Sequence, residues 1–148
     1  MSDNRSRDER DLIHLINYVH RAYRKAANRA LAAQGLSDSQ ALPVLFIARL
    51  GDGVRPGTLA EQLGVEGPSL VRQLDQLVTA GLVARREDPE DRRAKTLHLT
   101  ELGRTMAWTI EAMFRDVRAR YLSSIPDQDL AAALRTLKSF EAALASGG

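Results

Sequence analysis

The fold is decided by residues 58–103, which read TLAEQLGVEGPSLVRQLDQLVTAGLVARREDPEDRRAKTLHLTELG. Thr58 and the glutamate three residues later form a capping box, which predicts a helix that begins at Thr58 and ends at Gly64. Pro68 suits the first turn of a second helix, and Gly81 predicts the end of that helix. Two short helices joined by a tight turn form a helix-turn-helix.

The residues after Gly81 predict a β-hairpin. Leu82–Arg86 is a short segment that passes from apolar to basic, and Thr96–Thr100 alternates as a half-buried strand does. The segment between them, EDPEDRRAK, is polar and contains a proline, which suits an exposed hairpin tip. A hairpin directly after the second helix is a wing, so the expected fold class is mainly α (α+β), a winged helix-turn-helix with a two-stranded wing.

Two motifs carry a resemblance to a known family: GVEGPSLVRQLDQL at 64–77, and D-x-R-x-x-x-L-x-L-T-x-x-G at 91–103. With them the chain resembles the MarR family of winged-helix regulators, and more narrowly its SlyA-like branch. The resemblance implies a DNA-binding transcriptional regulator that acts as a homodimer on a near-palindromic operator. We expect a repressor, although the sequence leaves repression and activation open. It also implies a small aromatic carboxylate effector, bound between the dimer helices and the winged domain, that weakens DNA binding.

Apolar stripes outside this stretch predict four more helices. We expect them at Asp11–Ala33 after a frayed start, from Ser37 or Asp38 to Leu50, from a Thr100 cap to Leu122, and at Asp127–Ala145. Val54–Gly57 could add a small third strand beside the wing. The expected organisation is one MarR-type domain over 1–148, with the winged helix-turn-helix at 36–100 and a helical dimerisation part at 11–35 and 101–146.

The helix predicted after Thr100 is apolar on two sides. One side carries Leu102, Met106, Ile110, Met113, Val117 and Tyr121, and the other carries Trp108, Ala112 and Ala119. A helix that is apolar on two sides has to bury both. We therefore expect the helices at the two ends of the chain to pack together and onto a second copy.

The second helix of the helix-turn-helix has a polar side whose residues are candidates to contact DNA: Pro68, Ser69, Arg72, Gln73 and Gln76. An arginine can donate two hydrogen bonds to guanine O6 and N7, and a glutamine can pair with adenine. A serine near the helix start suits a phosphate or a base edge. The alternative is an ordinary solvated helix face, but the wing that follows favours DNA contact.

The hairpin adds five basic candidates for DNA contact: Arg85, Arg86, Arg92, Arg93 and Lys95. In proteins that this chain resembles, the wing tip enters the minor groove, and we assign that role to Arg92. Asp91 and Arg93 are expected to brace the wing through ion pairs and backbone hydrogen bonds, while the other basic residues supply charge for phosphates. The alternative is a solvated charge run, because four acidic residues nearly balance the positive ones.

The residues that could bind the effector are aromatic or cationic: Tyr18, His20, Arg21, Arg49 and Trp108. Each has a plainer interpretation. Trp108 could pack in an interface, Arg21 could be a solvated charge, and Arg49 could extend beside the core.

Composition narrows the remaining function classes. The 148 residues are 44% hydrophobic and 27% charged, with no cysteine and a net charge of +2, so a nucleic-acid surface has to come from local placement of charge. The charged start and the lack of an 18-residue apolar run predict a cytoplasmic protein without membrane contact. The three histidines lack metal-ligand spacing, and the motifs of enzymes are missing, so we expect no metal, no cofactor and no catalysis. A winged helix that only binds protein is the remaining alternative, and loss of Arg72 or Arg92 would not affect it.

Overall fold

The computed structural model describes residues 2–147, and side chains from residue 4 onward. Within this range the elements are α1 (Ser2–Ala33), α2 (Asp38–Leu50), α3 (Pro56–Leu63), α4 (Gly67–Thr79), β1 (Val83–Glu87), β2 (Lys95–Leu99), α5 (Glu101–Leu122) and α6 (Asp127–Ser146). This order confirms the predicted winged helix-turn-helix with a two-stranded wing. Across residues 2–147, no helix has the length and apolar character that a membrane span requires.

The helix-turn-helix consists of α3 and α4. Gly64 ends α3 in the left-handed conformation at φ 64°, as predicted, because glycine adopts this conformation without a Cβ clash. The predicted start at Thr58 was wrong: α3 begins at Pro56, and its N-cap residue, Arg55, makes no side-chain cap hydrogen bond. Proline is tolerated there because the first N–H groups of a helix have no intrahelical partner. In α4 the leucine stripe is buried as predicted, with Leu70, Leu74 and Leu77 each 1% exposed.

The wing is an antiparallel pair in which Val83 faces Leu99 and Glu87 faces Lys95. Its strands lie within one residue of the predicted positions. The small third strand expected at 54–57 is reduced to a single bridge between Val54 and Leu97, because α3 already begins at Pro56.

The predicted cap of α5 is confirmed. The Gly103 N–H donates to Thr100 Oγ1 at 3.0 Å, and Thr100 Oγ1 donates in turn to the Gly81 carbonyl at 2.6 Å. The Thr100 N–H also donates to the carbonyl of Leu82 at 3.1 Å. These bonds hold the beginning of α5 against the beginning of β1.

The chain divides into two compact units, residues up to 114 and residues from 115 onward. The first unit has a core to which α1 contributes Ala27 and Leu31 and to which α5 contributes Ala107, Ile110 and Phe114. The second unit contains the end of α5 and α6, and α6 has no buried residue.

Two helical predictions need correction. Residues 2–10 are helical, since α1 begins at Ser2, and an Arg5–Glu9 ion pair at 2.9 Å lies in its first turns. The first apolar stripe predicted for α5 is buried only in its middle: Ile110 is 0% exposed, whereas Leu102 is 57% and Tyr121 55% exposed. The buried residues of α5 are Gly103, which packs against Leu82, and Ala107, Ile110 and Phe114. The predicted division into winged and dimerisation parts stays a prediction.

Candidate nucleic-acid interface

The exposed side of α4 lies opposite its buried leucine stripe. Pro68, Ser69, Arg72 and Gln76 are exposed, whereas Gln73 is half-buried at the edge of the stripe. Sequence reasoning missed Val71, which is 51% exposed beside Arg72. The sequence signal for Val71 is an apolar residue outside the spacing of the leucine stripe. The surface of α4 is therefore polar with one apolar side chain that a thymine methyl group could contact.

An ion pair joins α4 to the wing. Asp75 Oδ1 accepts from Arg85 Nη1 at 2.6 Å, which neutralises the acidic residue on the exposed side of α4. The predicted phosphate role of Arg85 is therefore combined with a positioning contact. Arg86 is exposed, and Lys95 lies 3.6 Å from Glu87 across the hairpin.

The hairpin tip is held by Asp88, whose side chain is 7% exposed. Asp88 Oδ2 accepts from Arg55 Nε at 2.8 Å and Nη2 at 2.6 Å, and Oδ1 accepts from the Glu90 N–H at 2.9 Å. The Glu90 hydrogen bond and then the Arg55 guanidinium lower the pKa of Asp88, and Asp88 raises the pKa of Arg55. The pair joins the beginning of α3 to the wing, and sequence reasoning missed it because the two residues are 33 positions apart.

The D-x-R motif braces the tip through backbone contacts. Asp91 Oδ1 accepts from the Arg93 N–H at 3.0 Å, and the Asp91 carbonyl accepts from the Ala94 N–H at 2.9 Å. Arg92 and Arg93 are exposed. Among residues 4–147, neither guanidinium forms an ion pair. Both remain available for a ligand at the tip.

Two of the five predicted effector residues share one depression. His20 and Arg21 line an open depression of about 700 Å³ on α1, and the other three predicted residues do not line it. Arg49 pairs with Glu111 at 2.7 Å and lies over the Phe46 ring. Tyr18 is 57% exposed and Trp108 is 80% exposed.

The histidines show no sign of a metal centre. His98 is half-buried on β2, with Nε2 at 3.0 Å from Thr96 Oγ1. In the part of the chain that the structure describes, no three His, Asp or Glu side chains are grouped to hold a metal ion.

Comparisons with known proteins agree with this geometry. A family model described as the MarR family matches residues 34–94. The transcriptional regulator PA3341 is 36% identical, with 91% of this chain and 98% of that chain covered and a TM-score of 0.84. CouR from Rhodococcus jostii RHA1, solved with bound p-coumaroyl-CoA, is 32% identical over 88% of this chain and 91% of its own, with a TM-score of 0.76. A MarR-family regulator from Rhodococcus sp. RHA1 is 31% identical over 89% and 93%, with a TM-score of 0.75.

A helix-turn-helix with an exposed polar second helix, followed by a wing with an arginine tip, defines a winged-helix protein of the type that binds nucleic acid. The chain belongs to the MarR family of transcriptional regulators.

Proposed function

We propose that this protein represses transcription by binding a near-palindromic DNA operator as a homodimer. The observation that carries the proposal is the exposed side of α4, opposite a fully buried leucine stripe and followed by a wing with two unpaired arginines. In this proposal α4 is the recognition helix: Arg72 reads guanine and Gln76 reads adenine in the major groove, while Ser69 and Pro68 lie against the backbone. Gln73 contributes from the edge of the surface, and Arg92 enters the minor groove.

The ion pairs of the structure support a positive DNA-binding surface. Asp75, Glu87 and Asp88 are each paired with a cation, so these acidic residues do not repel phosphates. The other cations of the surface remain to neutralise DNA: Arg72, Arg86, Arg92 and Arg93. Arg85 and Lys95 are the partners of Asp75 and Glu87, so their charge offsets that of these two carboxylates. This pairing accounts for Glu87 and Asp88, two of the four acidic residues of the hairpin.

Exposed apolar side chains in both units support the homodimer. On α1 they include Leu15 and Val19, and on α6 they include Leu134 and Leu144, which is 64% exposed. Stable dimers of this kind commonly bury more than about 2,000 Å². Two recognition helices related by a dyad would enter successive major grooves, so the half-site centres should lie about 10 base pairs apart.

The test begins with the operator, found by genome-wide mapping of bound sites and confirmed by fluorescence anisotropy at physiological salt. Arg72→Ala should cost roughly 1–3 kcal/mol and relax preference at one base position per half-site. Arg92→Ala should shift preference at flanking A·T positions instead, because it senses groove width. Arg135→Ala, an exposed cation on α6, is the control and should leave specificity unchanged.

Equal affinity of the wild type for the mapped site and for random DNA would refute sequence-specific binding. It would favour the alternative of a winged helix that docks on protein.

We also propose that a small aromatic acid, or a thioester of one, lowers operator affinity. The comparison that supports it is CouR, which is bound to p-coumaroyl-CoA. A coupling of about 1–3 kcal/mol would change operator affinity several-fold to a hundredfold, and linkage requires DNA to weaken ligand binding equally. We place His20 and Arg21 in this site, with Tyr18, Arg49 and Trp108 as further candidates. From the two sequence motifs we also propose that the chain lies in the SlyA-like branch.

A further inference from the structure

One face of α1 carries positive charge that DNA recognition by α4 and the wing does not use. Residues 12–37 contain four lysine or arginine residues and no aspartate or glutamate. The exposed helix α6 differs, because Asp127, Asp129 and Glu141 are mixed there with Arg135 and Lys138. A solvated helix face ordinarily mixes the two signs, since oppositely charged neighbours stabilise it. The unbalanced charge of α1 is therefore a feature that needs a partner.

The cations of α1 lie together. They line the open depression of about 700 Å³ with His20, Asn28 and Ala32, and they are Arg21, Arg24, Lys25 and Arg29. The spacing of three, four and eight residues places them within three helical turns, over about 12 Å. Ala27 and Leu31 are buried in the core, which fixes the rotation of α1 and keeps these cations in solvent.

The depression is connected to the winged part of the first unit. Arg24 Nη2 donates to Asp38 Oδ2 at 2.7 Å, and Asp38 is the first residue of α2. Helix α2 packs in turn against α3 and α4. An anion bound to Arg24 would compete with Asp38, and it would thereby loosen a contact between α1 and the element that supports the helix-turn-helix.

We propose that this depression binds the phosphate groups of the effector, which is therefore a coenzyme A thioester rather than a free aromatic acid. The inference rests on the proposed ligand response. A free aromatic acid carries one carboxylate and needs one cation. Coenzyme A carries a pyrophosphate and a separate phosphate, which match several cations. Among residues 4–147, Asp38 is the one acidic side chain that forms an ion pair with a cation of the depression. Arginine suits this role because its guanidinium donates paired hydrogen bonds to phosphate oxygens.

The proposal also gives a route from ligand to DNA. If DNA binding requires the Arg24–Asp38 contact, phosphate capture by Arg24 favours the released conformation. A ligand shifts an equilibrium only by its differential affinity for the two states, and here the broken ion pair supplies the difference.

The test uses titration calorimetry on the full-length wild type at one fixed ionic strength, with p-coumaroyl-CoA, coenzyme A and p-coumarate as probes. Both coenzyme A species should bind, and p-coumarate should bind at least tenfold more weakly than the thioester. Lys25→Gln and Arg29→Gln should each weaken thioester binding about fivefold, the scale of one exposed charge pair. Arg7→Gln, which removes an exposed charge from the same helix outside the depression, should have no effect.

Asp38→Asn provides a readout that moves in the opposite direction. It releases Arg24, so it should strengthen thioester binding and reduce the effect of the thioester on operator affinity. Circular dichroism spectra should match the wild type for all four variants, because each change is at a residue outside the core.

Three results would overturn the inference. They are equal binding of p-coumarate and the thioester, absence of binding by both coenzyme A species, and wild-type thioester affinity in Lys25→Gln and Arg29→Gln. Without ligand, Lys25→Gln and Arg29→Gln could lose as much affinity for the operator as they lose for the thioester. That result would overturn the inference, because the basic face of α1 would then bind DNA phosphates instead. Failure of the proposed function would be seen separately, in the DNA-binding assay. In that case the ligand-free wild type would show no preference for the operator, whatever ligand binding the calorimetry measures.

Discussion

Substitution of Gly103 by alanine sets two physical effects against each other. Gly103 is the third residue of α5, and it is buried against Leu82, the residue that precedes β1. Alanine favours a helix over glycine by at most about 1 kcal/mol, so helix propensity alone predicts that the variant is more stable. The tertiary structure predicts the reverse.

A Cβ at position 103 would lie far inside contact distance of the Leu82 carbonyl oxygen, 3.1 Å from the Leu82 carbonyl carbon and 3.3 Å from Leu99 Cδ2. The obstacle is backbone, so α5 has to move. Overpacking costs about 1–3 kcal/mol. Movement of α5 also breaks the two hydrogen bonds that Thr100 donates to Gly81 and Leu82, at about 1 kcal/mol each. After the gain in propensity, we expect a net loss of about 2–4 kcal/mol in the free energy of unfolding.

Urea unfolding followed by circular dichroism, with all proteins at one concentration, measures this difference. In a thermal unfolding experiment, the midpoint temperature should fall by about 5–15 °C for a chain of this size. Gly57→Ala is the matched control: Gly57 lies in α3 with no atom within 4 Å of the added Cβ, so propensity acts alone and the variant should gain stability. A Gly103→Ala protein as stable as Gly57→Ala would show that the contact between α5 and Leu82 adjusts at no cost in stability, and the reasoning would be wrong.

Three further outcomes are expected. The Glu90 N–H and the Arg55 guanidinium lower the pKa of Asp88 from 3.8. The ionised carboxylate therefore stabilises the fold fully above pH 3.8, and this stabilisation is lost as the pH falls through the lower pKa of the folded state. Amide exchange by NMR should show faster exchange of the Glu90 N–H in Asp88→Asn at neutral pH, and unchanged exchange would contradict the bracing role. Arg85→Ala should weaken operator binding more than loss of one phosphate contact explains, because Asp75 then faces DNA unpaired; a salt slope reduced by about one with no other change would argue for a phosphate contact alone. Sedimentation at micromolar concentration should show a dimer, which Trp108→Glu should weaken if the 80% exposed indole lies in the interface; a 16.3 kDa monomer for the wild type would contradict the homodimer.

Local patterns determined the elements of this protein. The leucine spacing in α4 places one side of a helix in the core whatever packs against it, because the helical repeat puts these residues on one face. Alternation in Thr96–Thr100 predicted β2 with Leu97 and Leu99 buried, and the hydroxyl of Thr100 predicted the beginning of α5. Each of these signals depends on residues within a few positions of one another.

Contacts between distant residues were decided only by the tertiary structure. Asp88 looked like one charge in a polar hairpin tip, and its near-complete burial depends on Arg55, 33 positions away. The two apolar stripes of α5 predicted only Ile110 among its buried residues, and the other three, Gly103, Ala107 and Phe114, are buried by tertiary contacts such as that of Gly103 with Leu82. The sequence shows the basic residues of the depression on α1, but their connection to α2 through the Arg24–Asp38 contact is seen only in the tertiary structure. Sequence periodicity reports which side of an element is apolar, whereas the identity of the partner that covers it depends on the packing of the whole chain.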